Sequence, residues 1–129
     1  MRTRAARIHL SATEQVLLMA LELAASKWRL VLANWVTGQR RRVEIRAWDS
    51  QRLAAEIAKA KAHLGLPPSV RVVSCQEAGR DGFSVHRLLL SLGIESLVID
   101  ASSVEVNRKQ RRAKSDRCWA AFRSTCCIG

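Results

Sequence analysis

Between Val16 and Val36 the chain carries two apolar runs, Val-Leu-Leu-Met-Ala-Leu-Glu-Leu-Ala and Trp-Arg-Leu-Val-Leu-Ala-Asn-Trp-Val, parted by Ala25-Ser26-Lys27. Short apolar runs split by a few polar residues suit a β-hairpin. A helical hairpin competes, because Leu and Ala are abundant here and favour helix. The second run alternates well: Trp28, Leu30, Leu32 and Asn34 fall on one face, Arg29, Val31, Ala33 and Trp35 on the other. Thr37-Gly38-Gln39 reads as a turn. Arg42 to Ala47 then alternates as a half-exposed strand with Val43, Ile45 and Ala47 inward.

Asp49 opens the clearest helix, where it can cap the free N–H groups, and Leu53, Ile57, Ala60 and Leu64 recur at helical spacing. Gly65 supplies a left-handed stop and Pro67-Pro68 forbids continuation. Val70 to Cys75 is a compact β-branched run, expected as a buried strand. Gly79 to Gly82 reads as a turn, Phe83 to Leu92 as a helix ended by Gly93, and Glu95 to Asp100 as a short strand around Leu97-Val98-Ile99. Three meandering strands followed by helix, strand, helix and strand predict an α/β protein with a mixed sheet covered by helices. That order matches the ribonuclease-H-like fold.

A length of 129 residues suits one domain, and a hydrophobic share of 48% is enough for a core. Lys and Arg number 22 against 11 acids, a net charge of +11, which attracts phosphate backbones or acidic surfaces in a salt-dependent way. Much of that charge is local. Arg108, Lys109, Arg111, Arg112, Lys114 and Arg117 fall within ten residues, with Asp116 the sole acid among them. Such a run would hold a nucleic-acid backbone; the plain alternative is a solvated helix. Arg40-Arg41-Arg42 is expected at a hairpin tip, as a solvated turn.

Cys75 stands alone, Cys118, Cys126 and Cys127 crowd the end, and no C-x-x-C pair occurs. That usage predicts a reducing, cytoplasmic setting. Val16–Ala25 superficially resembles an export segment, but Glu22 interrupts it. A membrane span needs about 20 apolar residues, so no membrane partner is expected. The predicted organisation is a basic arm over 1–13, a domain over 14–117 and an atypical tail over 118–129 in which no period is evident.

Three acids invite chemistry. Glu22 sits inside an apolar run, where a buried charge needs a partner, a metal or a proton, unless it simply reaches water at a strand end. Glu77 lies two residues past the expected strand Val70–Cys75, and α/β sheets place working side chains beyond the carboxyl ends of strands. An ordinary loop acid is its alternative. Asp116, among guanidiniums, reads either as a salt-bridged surface acid or as a third ligand. Together Glu22, Glu77 and Asp116 could converge on a divalent ion such as Mg²⁺, which prefers carboxylate and water oxygens. Zinc has no usable ligand spacing here, and Cys75 is expected to be a buried strand residue.

Two stretches carry a resemblance: Val73-Ser-Cys-Gln-Glu-Ala-Gly-Arg-Asp-Gly-Phe-Ser-Val-His-Arg87 and Val98-Ile-Asp-Ala-Ser-Ser-Val-Glu-Val-Asn-Arg-Lys-Gln-Arg-Arg-Ala-Lys-Ser-Asp-Arg117. Both resemble the N-terminal part of the DEDD-type insertion-sequence transposases, the "one-ten" family that includes Piv-type DNA invertases, over about residues 16–117. The resemblance implies a ribonuclease-H-like (RuvC-like) domain bearing four acids, Mg²⁺-dependent DNA transposition and recombination, a separate C-terminal domain with a catalytic serine, and DNA and a structured guide RNA as partners. Glu22 takes the first acid position, Glu77 the second and Asp116 the third. The fourth falls at Trp119, which departs from the pattern. The expectation is therefore a truncated and inactive copy whose tail arises from a frameshift near Cys118, located with the bacterial nucleoid. The alternative is a non-catalytic module that binds guide RNA or DNA. Self-association is left open.

Overall fold

The computed structural model describes residues 10–99, 118, 119 and 122, together with the backbone of 126 and 127. The elements run β1 (Leu10–Ser11), β2 (Val16–Leu23), β3 (Lys27–Asn34), β4 (Arg40–Arg46), α1 (Ser50–His63), β5 (Arg71–Glu77), α2 (Gly82–Ser91), β6 (Glu95–Ile99) and β7 (Cys126–Cys127). The five longer strands form one mixed sheet in the order β4-β3-β2-β5-β6. β2, β3 and β4 pair antiparallel, while β2, β5 and β6 pair parallel. The α/β class and the three antiparallel strands followed by alternating helices and parallel strands are as the sequence predicts. The hairpin wins over its helical competitor because period-two alternation gives both sheet faces something to bury.

One sheet face presents Leu17, Met19, Leu21, Trp28, Leu30, Leu32 and Ile45 to the apolar sides of α1 and α2, through Leu53, Ile57, Ala60, Val85 and Leu89. The Asp49 carboxylate accepts a hydrogen bond from the Arg52 N–H at 3.0 Å and so caps α1. Gly65, at φ 70°, follows the helix in the left-handed conformation expected of it. The opposite face presents Val16, Leu18, Ala20, Val31, Ala33, Val73, Cys75, Leu97 and Ile99, covered by Leu10, Cys118, Trp119 and Phe122. The end of the expected arm is thus structural: Leu10 is buried, and β1 pairs in parallel with β7.

Two expectations need correction. β5 runs to Glu77 instead of stopping at Cys75, because its last two residues complete backbone pairing with β6 despite being polar. Arg40, Arg41 and Arg42 lie inside β4, paired with Ala33, Leu32 and Val31, and are not a solvated turn. The turn lies between Asn34 and Arg40 and contains the expected Thr37-Gly38-Gln39, with Gly38 at φ 77°; the Asn34 side-chain oxygen accepts from the N–H groups of Val36 and Thr37 at 3.0 and 3.2 Å.

Arg41 also reaches a buried acid on α1. Glu56, 2% exposed, takes Arg41 at 3.3 Å and Arg52 at 2.9 Å, with Lys59 at 3.9 Å. Burial pushes the Glu56 carboxyl upward, but the hydrogen bonds from Arg52 and Arg41 outweigh it and leave the pKa below the ordinary value. A depressed folded-state pKa contributes stability that is fully present above the unfolded value, near ~4.3, and is lost as pH falls through the folded value. Glu56→Gln is expected to cost about 1–2 kcal/mol at pH 7. It should also flatten the loss of stability between about pH 5 and 3. Urea midpoints across that range check both.

Candidate functional site

Glu22 and Glu77 are brought together by sheet geometry. β2 and β5 are adjacent and parallel, and their register runs from Val16↔Arg71 to Leu21↔Gln76. One step further sets Glu22 beside Glu77 at the carboxyl ends of both strands. Alternation places Glu22 on the face of Leu18 and Ala20, and Glu77 on the face of Val73 and Cys75, which is the same face. Both are half-buried. Across β3, Glu22 stands opposite Arg29, and Arg29 opposite Glu44, so one rung of the sheet carries Glu77, Glu22, Arg29 and Glu44 in order.

The loop after β5 completes one side of this corner. Residues 78–81 and Gly82 line a cavity of about 240 Å³ with Leu21, Leu23, Ala24, Ala25 and Glu77. Gly82, the first residue of α2, is a requirement of close packing. A side chain there would overlap the Glu77 carbonyl oxygen, so only glycine lets the helix start against the strand end. Gln76, fully buried, donates from Nε2 to the Gly82 carbonyl at 3.4 Å and to the Ser96 hydroxyl at 2.9 Å. Gln76 and Gly82 fix the start of α2 against the end of β5, and pattern reading missed both: a polar residue in a strand and a glycine before a helix give no periodic signal.

Cys75 and Cys118 are both buried, reduced and on this face. Burial first, then a hydrogen bond with the Cys118 thiol, push the Cys75 thiol far above its ordinary range, and the Glu77 carboxylate adds to the push. Cys75 is therefore the inert strand residue expected, because the thiolate is the reactive form. Trp119 is buried at 6% exposure, tilted against Phe122 at 5.5 Å and lying under the Arg40 guanidinium at 4.6 Å. The position at which the resemblance calls for a fourth acid thus holds an apolar core residue.

Asp116 and the basic residues Arg108, Lys109, Arg111, Arg112, Lys114 and Arg117 lie outside the described residues. Among the described residues no group of three or more His, Cys, Asp or Glu side chains is arranged to hold a metal ion. Among them, too, no helix is long and apolar enough to cross a membrane.

Comparison with known proteins finds a similarity to one protein named as a transposase. It is 36% identical, over 116 residues that make up 88% of its length, to a protein of Sinorhizobium fredii named "Putative transposase y4rJ". The chain spans 28% of that relative's length. No protein-family profile matches it.

Proposed function

We propose that this chain is the ribonuclease-H-like, DEDD-type domain of an insertion-sequence transposase, and that Glu22, Glu77 and Asp116 are its metal ligands. The observation that carries the reading is the in-register placement of Glu22 and Glu77 on one face, at the carboxyl ends of adjacent parallel strands. Carboxyl ends of parallel strands are where α/β sheets gather working groups. The element order of the sheet and the similarity to a protein named as a transposase support the same reading and suggest DNA as the substrate.

Cys118 packs beside Cys75, two strand positions from Glu77. Asp116, which the resemblance sets at the third acid position two residues before Cys118 in the sequence, is proposed as the third ligand on that ground. A set of carboxylates is the donor chemistry that Mg²⁺ and Mn²⁺ favour. When bound, such ions stabilise the attacking and leaving oxygens of a phosphodiester. The chain's own part is to aim carboxylates from the carboxyl ends of two adjacent strands of a stiff sheet.

Trp119 cannot ligate a metal, so the site has three acids and its affinity is lower than that of a four-acid relative. The expected result is one saturable Mn²⁺ site, read by electron paramagnetic resonance, that weakens about 10–100-fold in Glu22→Gln and in Glu77→Gln. Trp119→Asp, which restores the fourth acid, should tighten it. Equal Mn²⁺ binding by the parent chain and both Gln variants would remove the proposal. A non-catalytic nucleic-acid-binding module is the second reading, and the exposed cations of β3 and β4, with Trp119 in the fourth position, favour it.

A further inference from the structure

We propose that the exposed face of the β3–β4 hairpin is a track for the backbone of duplex DNA, distinct from the basic run at 108–117. Alternation puts Lys27 and Arg29 of β3, and Arg40, Arg42 and Arg46 of β4, on the face that also bears Glu22 and Glu77. Two observations fix that assignment: Lys27 and Arg29 both reach Glu44 from across the strands, at 3.3 and 3.4 Å, and Arg40 lies over Trp119 on this face. All five cations are exposed, and Glu44 is the one acid among them on the hairpin.

The register makes this more than surface charge. Lys27 pairs directly with Arg46, and like charges opposite each other in a sheet are destabilising. Glu44 offsets the neighbouring repulsion only in part. A polyanion lying along the hairpin would relieve it. From Arg40 to Arg46 the cations extend over about 20 Å of strand, which matches about six base steps of duplex. The track ends at the Lys27–Arg46 rung, and the Arg29–Glu44 rung just inside that end continues across the sheet into Glu22, so a duplex seated on the cations passes beside the carboxylates. Arg40 is held in place by the Trp119 ring beneath it. The choice of DNA as occupant, and nothing else, rests on the transposase reading.

The test is fluorescence anisotropy of the chain with a 25-base-pair DNA duplex across a salt series, with EDTA present so that no metal site contributes. Arg42→Gln with Arg46→Gln is expected to reduce the slope of log affinity against log salt by about 1.8, near 0.9 per cation lost. Lys59→Gln with Arg87→Gln, on the two helices that cover the other face, removes the same charge and should leave the slope nearly intact. Glu44→Gln frees Lys27 and Arg29 and should tighten binding about two- to fivefold, a gain that misfolding cannot produce. Equal losses in the two double variants, or no tightening in Glu44→Gln, overturn the track and leave these cations as protection of an edge strand. The same changes seen with duplex RNA but not with DNA overturn the choice of ligand. Success or failure here is independent of Mn²⁺ binding, so the two proposals are separable.

Discussion

Phe122→Ala is expected to destabilise the protein by about 3–5 kcal/mol, the range for removing a fully buried aromatic ring. Phe122 is completely buried and belongs to the cluster that covers the second sheet face, with Cys118 and Trp119. Without it, Val16, Leu18, Val73 and Cys75 lose part of their cover. Small domains have about 5–15 kcal/mol to spare, so this one change should shift the urea midpoint by a large fraction of its value. Phe83→Ala, at a ring left 45% exposed, should cost about 0.5 kcal/mol or less. A Phe122→Ala midpoint equal to that of the parent would show that the face is closed by something else.

Gly82→Ala is the second large effect. In an ordinary exposed helix that exchange gains about 1 kcal/mol. Here the new methyl group meets the backbone carbonyl of Glu77, which cannot swing away as a flexible side chain would. Overpacking of this kind costs about 1–3 kcal/mol, so steric cost wins and the net loss is expected to be about 1 kcal/mol. The signature that separates it from a purely structural change is local: α2 must back away from the end of β5, so Mn²⁺ affinity should fall even at temperatures where the variant is fully folded. Calorimetric melting and the Mn²⁺ titration read the two effects separately.

The hairpin was legible in the sequence because Trp28, Leu30 and Leu32 alternate cleanly with Arg29, Val31 and Ala33. The helix α1 was legible through Asp49, its apolar spacing and Gly65. What hid from pattern reading was polar strand. Gln76 and Glu77 extend β5 because β6 lies alongside to accept their backbone hydrogen bonds, a tertiary fact no local pattern carries. Arg40-Arg41-Arg42 hid the start of β4 in the same way, since three cations in a row show no alternation until their partners are known. There was a usable signal a little further on: Arg42, Glu44 and Arg46 interleave with Val43 and Ile45, which marks one wholly charged face.

The candidate site divides likewise. Glu22 and Glu77 could be singled out as acids, but their meeting follows from strand register, which depends on how β2 pairs with β5. The aperiodic tail gave no sign that Cys118, Trp119 and Phe122 would be core, because burial there is decided by a distant sheet face. The expected loose arm ends in Leu10, buried for the same reason.

The amide of Asn34 has a wider consequence. Buried at 6% exposure, it accepts two N–H groups of the β3–β4 turn while donating to the Leu64 carbonyl at the end of α1, at 3.0 Å. Hairpin and helix are thereby riveted through one side chain, and the hairpin cannot swing as a free finger. A partner arriving on its outer side meets a prefolded plate, so association would bury surface without the heat-capacity signature of a segment that folds as it binds.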